Sequence, residues 1–265
     1  MPHSYFEVPQ PTVIGHRGAA ADAPENTLPS FEHALAVGAH ILESDVQGTR
    51  DAVPVLSHDA SLERMTGSPQ RIEALELETL RSFDAAFGFA GDDGSYPLRG
   101  RGIGVPTLGE AFEAFPAARF NLEIKADLPG LVESVVALIA EHDRADRTLL
   151  AAESDAVMAR IRAETRRAGV HPAIGASLAD VVGFVQAAVA GVAPTSEAMA
   201  LQIPPEFAGR PLITPQLVSH AHAHGTVVHA WTINQVSEMA RLIELGVDGL
   251  ITDDPARMHA HFYPE

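Results

Sequence analysis

The feature that most limits how this chain can fold is a rhythm: short apolar runs alternate with longer amphipathic stretches over nearly its whole length. The runs fall at 13–15, 40–46, 119–124, 149–152, 173–177, 198–203, 227–233 and 249–252. Between them lie stretches such as 27–36, 131–142, 155–168 and 235–245, where apolar residues recur every three or four positions, as on one face of a helix. Gly38, Gly169 and Gly246 each follow such a stretch, the usual place for a residue that ends a helix in the left-handed conformation. Strands separated by helices suit a parallel sheet with helical crossovers. Eight such units predict an α/β fold of the (β/α)8 TIM-barrel type. At 265 residues the chain has an ordinary length for one such domain, so a single domain over 1–265 is expected.

The rhythm breaks once. About 70 residues separate the second and third barrel strands, far more than a βα unit needs. The interval holds "PVLSHD", a helical piece "RIEALELETLRSF" at 71–83, the loop "GFAGDDGSYPLRGRGIGVP" and a helix at 108–115. It is expected to form a small insertion, 54–107, over the C-terminal face of the barrel. Gly100, Gly102 and Gly104 do not follow a strand, so the spacing does not mark a dinucleotide or phosphate-binding loop.

Charge narrows the partners. A formal net charge of −17 argues against nucleic acid or an anionic membrane surface as the main partner. A small anionic substrate remains compatible if local cations receive it. With no cysteine, disulfides and thiolate metal sites are excluded. The first residues lack the basic and apolar regions of a signal peptide, and no apolar run approaches the roughly 20 residues of a membrane span. A cytoplasmic enzyme without a membrane span is the expectation.

The informative polar residues sit where the strands end. The first strand runs into Gly15-His16-Arg17-Gly18. The second, "HILESDV", places Glu43 and Asp45 two apart, on one face. "PVLSHD" supplies His58 and Asp59, and "FNLEIK" puts Glu123 and Lys125 on one face; Gln202 and Trp231 close the sixth and seventh strands. In a parallel barrel these positions converge at the C-terminal face, where the sites of this fold lie. Three carboxylates facing one cavity repel one another, and a hard divalent cation, Mg²⁺ or Ca²⁺, resolves that conflict. His16 and His58 then serve as acid and base, with Arg17 and Lys125 as anchors for an anion. The set points to phosphoryl chemistry, in which a site positions and neutralises developing charge.

Each assignment has a plainer alternative. A lone strand-end histidine is usually structural, and Glu43, Asp45 and Glu123 would also suit ion pairs with Arg17 and Lys125 alone. Trp231 would suit a core position. The run "SHAHAH" at 219–224 places His220 and His224 one helical turn apart without an accompanying carboxylate motif, which favours a solvated helix end over a metal site. His229 is expected in the core.

Taken together the motifs resemble the glycerophosphodiester phosphodiesterase family. They are "GHRG" at 15–18, "PENT" at 24–27, "GAHILESDVQGTRDAVPVLSHD" at 38–59, "LERMTG" at 62–67, "VPTLGEAF" at 105–112, "NLEIK" at 121–125, "LQIP" at 201–204, "AWTIN" at 230–234 and "GVDGLITDDP" at 246–255. The resemblance runs in order over nearly the whole chain. It implies a metal-dependent hydrolase that converts glycerophosphodiesters to sn-glycerol 3-phosphate and an alcohol. His16 and His58 would be its acid–base pair, Glu43, Asp45 and Glu123 the ligands of one divalent cation, and Arg17 and Lys125 the phosphate contacts. Trp231 borders the substrate, and Glu25 and Gln202 are further substrate-side candidates. The alternatives are a related barrel phosphodiesterase acting on lysophospholipid or phosphoinositol-type diesters, and a non-catalytic phosphodiester-binding barrel. Two departures stand out: Asp51-Ala52 replaces the family's Asp-Gly turn, and Glu153-Ser154-Asp155 replaces its Ser-Phe-Asp. The first bears on the hairpin geometry and the second on the leaving group.

Overall fold

In the computed structural model, which describes residues 3–91 and 93–264, the expected rhythm becomes a nearly closed barrel. Its strands include β1 (Thr12–Gly15), β2 (Ile41–Gly48), a short β3 (Pro54–Leu56), β4 (Arg119–Ile124), β5 (Thr148–Ala151) and β6 (Ala173–Ile174). They continue with β7 (Ala200–Ile203), β8 (Glu206–Phe207), β9 (Arg210–Pro211), β10 (Val227–Ala230) and β11 (Gly249–Thr252). The eight parallel members run in the order β6-β5-β4-β2-β1-β11-β10-β7. A parallel bridge from Gly175 to Ala200, with the Met199 N–H donating to the Ile174 carbonyl at 2.8 Å, draws the two ends together.

The crossovers are α1 (Leu28–Ala36), α4 (Leu108–Ala114), α5 (Leu131–Glu141), α6 (Asp155–Ala168), α7 (Leu178–Ala190), α8 (Pro215–Ala223), α9 (Val236–Glu244) and α10 (Pro255–Phe262), with one-turn α2 (Glu63–Thr66) and α3 (Leu77–Leu80) in the insertion. Their starts are written in the sequence. Thr27 caps α1 with Pro29 just inside, Thr107 and Glu110 form a reciprocal capping box on α4, and Ser177 and Asp180 form one on α7.

Alternation along the strands separates two cores. Ile14, Ile41, Leu149, Ala151, Ala173, Ala200 and Ile251 face the lumen, which Tyr5 closes from the N-terminal side. Val13, Leu42, Phe120, Leu122, Leu150, Leu201, Val228 and Leu250 face outward, against Phe31, Val135, Ile161, Leu217 and Met239 of the helices. Because Ile41 points inward, Glu43 and Asp45 do too. The strand pattern alone therefore delivers two carboxylates to the lumen's upper end.

Within segment 54–107 the helical piece expected at 71–83 is broken. Residues 71–83 are not one helix but a 3₁₀ turn (Ile72–Ala74) followed by the single turn α3. Hydrogen bonds to other segments break the run: the Ile72 N–H donates to the Ala60 carbonyl, the Leu75 carbonyl accepts from Arg50, and Asp51 caps the Leu77 N–H. Leu75 stays extended as a result. The subregion has its own small core of Val55, Leu62, Met65, Ile72, Leu80 and Val105. The β8–β9 hairpin is a further element the sequence pattern did not reveal.

The Asp51-Ala52 turn keeps its hairpin: β3 pairs antiparallel with β2, Val46 opposite Leu56 and Gly48 opposite Pro54. Ala52 sits in the left-handed region at φ 59°, a conformation that strains a side chain. Ala52→Gly is therefore expected to raise stability by about 0.5–1 kcal/mol, read as a higher midpoint in urea.

Arg144 shows how a cation can be buried without a carboxylate. Its guanidinium donates to the carbonyls of Phe115 (2.9 Å), Pro116 (2.6 Å) and Ala118, beneath the ring of Phe112 at 4.9 Å. Burial pulls its pKa down to about 10. It ties the end of α4 to the start of β4, the strand that carries Glu123. Arg144→Met leaves three carbonyls without that donor and is expected to cost about 3 kcal/mol, measurable as a lowered melting temperature.

Candidate active site

The site begins at the "GHRG" turn. Gly15 is required there because a Cβ would come within 2.5 Å of the Gly18 carbonyl oxygen, and a Cβ on Gly18 would collide with Ser30. Arg17 takes φ 53°, which turns its N–H onto Glu43 Oε2 at 2.9 Å and its carbonyl onto Ser30 Oγ and the Asn26 N–H. The two glycines thus let the backbone double back, with His16 and Arg17 facing the strand ends.

His16 is held from behind. Its Nδ1 lies 2.6 Å from Asp253 Oδ1, and Asp253 Oδ2 accepts from Asn234 Nδ2 at 2.6 Å. Asn234 Oδ1 is itself fixed by the Thr252 hydroxyl and the Asp253 N–H. Burial favours the neutral imidazole, but the Asp253 hydrogen bond and the field of Glu43 outweigh it and raise the His16 pKa above 6.5. His58 is held in the same manner, its Nδ1 2.8 Å from Asp59 Oδ1. Arg64 Nε donates to Asp59 Oδ2 at 2.7 Å, and Gln47 fixes the His58 carbonyl. In both rings Nδ1 is engaged by a carboxylate, so Nε2 is the nitrogen that could act toward the pocket.

A network of charges runs from the partner of His58 to Arg17 and the inward carboxylates. From Asp59 it passes to Arg64, then to Glu25 at 2.6 and 2.8 Å, then through Arg17 Nη1 at 3.0 Å. Arg17 Nε lies 3.1 Å from Asp45 Oδ2, which also accepts from Asn26 Nδ2 at 3.1 Å. On the other side of Asp45 stands Lys125, 3.7 Å from it and 3.2 Å from Glu123. Burial alone would lower the Lys125 pKa, but Glu123 and Asp45 raise it.

The expected residues are brought together with one exception. His16, Arg17, Glu43, Asp45, His58, Glu123, Lys125, Gln202 and Trp231 all line one pocket of about 660 Å³ at the C-terminal strand ends. Glu25 does not line it; both its oxygens are taken by Arg17 and Arg64, so it orients cations from outside. Trp231 is an exposed wall of the pocket and not core. His229 is buried, as expected. In the 219–224 run, His222 and His224 are exposed, as expected of a solvated helix end, and His222 pairs with Asp248 at 2.9 Å; His220 is half-buried against Phe184 and His224. Asp253, Asn234, Asn26 and Arg64 were missed as individual residues. The signal for two of them was available, since Asn234 and Asp253 follow β10 and β11 just as His16 follows β1.

The donor chemistry fits a hard divalent cation. Asp45 stands opposite Glu123 in the β2–β4 register, and Glu43 shares the lumen face of Asp45. Burial, with Asp45 adding to it, pushes the Glu43 carboxyl up to about 8, and a cation bound beside it would oppose that shift. Among the described residues no three His, Asp or Glu side chains are drawn together closely enough to enclose an ion.

A barrel with two carboxylate-backed imidazoles, a cluster of inward carboxylates and two cations at its strand ends has the layout of a phosphoryl-transfer hydrolase. The family model for glycerophosphoryl diester phosphodiesterases matches residues 16–257, and the chain belongs to that family. A glycerophosphodiester phosphodiesterase of Caldanaerobacter subterraneus subsp. tengcongensis is 31% identical over 251 residues, covering 92% of this chain and 94% of the relative. A lysophospholipase D of Rattus norvegicus is 27% identical over 270 residues, covering 92% and 84%. Among solved structures, an Oleispira antarctica phosphodiesterase in complex with the product sn-glycerol-3-phosphate superposes with a TM-score of 0.79 at 26% identity, covering 97% of this chain and 98% of that one.

Proposed function

We propose that the chain hydrolyses glycerophosphodiesters to sn-glycerol 3-phosphate and an alcohol, with a divalent cation and a two-histidine acid–base pair. The observation that carries this reading is the matched backing of His16 by Asp253 and His58 by Asp59, with both rings lining one pocket. Glu43, Asp45 and Glu123 would hold one Mg²⁺ or Ca²⁺. When bound, it would draw charge from the non-bridging phosphate oxygens.

This chain's own groups account for the rest. Arg17 and Lys125 receive the phosphate anion, and Trp231 and Gln202 border the substrate. One imidazole takes the proton of the nucleophile, either water or the glycerol 2-hydroxyl, as the new P–O bond forms. The other gives a proton to the alkoxide as the old P–O bond breaks. By the hydroxyl route a cyclic phosphate forms first and water then opens it. Segment 54–107 belongs, in this reading, to one catalytic domain over 1–265, and its part is to bring His58 to the mouth.

One observation favours a second substrate class. Beside its charged groups the pocket has an apolar lining of Leu178, Val181, Val182, Val185, Phe207 and Leu212. That lining suits the apolar chain of a lysophospholipid, the substrate type named for the rat relative. The deciding experiment is an assay of glycerophosphocholine, glycerophosphoethanolamine and a lysophospholipid with Mg²⁺ and with Ca²⁺, following sn-glycerol 3-phosphate and the released alcohol. Release of sn-glycerol 3-phosphate supports the first reading. Release of choline from the lysophospholipid alone supports the second, and no turnover of any diester with either metal overturns both.

A further inference from the structure

Helix α7 is largely apolar on both sides, Gln186 being the exposed polar residue of its outer side. Its inner side buries Phe184, Ala187 and Ala188. On the outer side, Leu178 is 51% exposed, Val182 47% and Val189 73%, and Val192, just past the helix, is 57% exposed. Its one charged residue, Asp180, is turned back to cap Ser177 and bind Arg162. A helix without an outward charge is unusual in a chain whose residues are 20% charged, and such a helix is ordinarily covered.

The face does not end at the helix. Leu178 and Val182 also line the pocket, and the β8–β9 hairpin adds Phe207, 67% exposed, at the same mouth. The hairpin turns through Ala208 and Gly209, both at positive φ, and Phe207 lies beside that turn. One apolar surface therefore runs from the outside of the barrel into the reaction pocket. That continuity identifies the occupant: a surface whose own molecules enter the pocket. The outer side of α7 offers no lysine or arginine to an anionic headgroup, the exposed Arg210 of the hairpin is matched by exposed Glu206, and the net charge of −17 repels anionic surfaces.

We propose that the outer face of α7 and the β8–β9 hairpin form a docking surface for zwitterionic lipid, from which a diester bearing an apolar chain passes into the pocket. The proposal rests on the hydrolase reading above. Its test is co-flotation with vesicles of phosphatidylcholine, compared with vesicles containing one part in three, roughly, of phosphatidylglycerol, chosen to add net negative charge. The variant is Val189→Asp with Val192→Asp, two exposed positions outside the pocket. Wild-type protein should float with phosphatidylcholine and less with the anionic mixture, and the variant should lose about tenfold or more of that binding. Hydrolysis of glycerophosphoethanolamine should be unchanged in the variant, which shows the fold intact. Absence of flotation, equal flotation of the variant, or preference for phosphatidylglycerol overturns the proposal. So does a wild-type dimer that the variant splits, by light scattering, without vesicle binding, for then a second copy covers the face. Flotation without turnover of any diester would remove the hydrolase reading and leave a lipid-binding surface.

Discussion

His16→Ala is expected to lower turnover by about two to four orders of magnitude, the scale of a lost acid–base group. His58→Ala should do the same, because the two rings occupy equivalent settings. Asp253→Asn separates catalysis from mere support. It keeps the shape but removes the carboxylate that holds His16 Nδ1 and raises its pKa. The charged imidazole is then less favoured, so the His16 pKa falls, and the limb of the pH–rate profile that reports it moves to lower pH. An NMR titration of the ring measures the same shift without turnover. Near-normal turnover in folded His16→Ala protein would end the assignment, and an unmoved titration in Asp253→Asn would end the pairing.

The second large effect is expected at Glu43. Glu43→Gln preserves volume and leaves an oxygen to accept from the Arg17 N–H, but it takes one carboxylate from the proposed cation set. Changes to groups that only support a metal ligand cost about 10–100-fold in affinity or activity, so loss of a ligand should cost at least about 10² in activity. Calorimetric titration with Mg²⁺ and Ca²⁺ should show a parallel loss of binding, while the melting temperature stays near wild type. Full activity in Glu43→Gln, or activity that survives exhaustive chelation with no metal by elemental analysis, would remove the three-carboxylate site.

Much of this arrangement is legible in the sequence alone. The 2.0-residue alternation of "HILESDV" and "FNLEIK" assigns a face to Glu43, Asp45 and Glu123, and a parallel barrel assigns an end to them. No folding detail beyond strand parity is needed. What stayed hidden depends on contacts between distant segments. Nothing local in "RIEALELETLRSF" announces that Arg50 and Asp51 will capture its middle. The pattern around Glu25 likewise gives no hint that Arg64, 39 residues on, will occupy both its oxygens. Asn234 and Asp253 stand at strand ends in recognisable motifs, but their partnership with His16 depends on β11 pairing with β1 and β10 with β11. The two-residue strands β8 and β9 carry too few residues for any periodicity to register.

The two histidines belong to different territories. His16 rises from the barrel wall, whereas His58 hangs from a subregion with a separate, smaller core, joined to the wall by β3 and by the Asp59–Arg64–Glu25 charges. Such a patch can open at a lower free energy than the barrel needs to unravel. If the two histidines act together as proposed, their chemistry is only as durable as the weaker of two packings. Heat or denaturant would silence the protein by lifting one partner away while the other still stands in an intact wall.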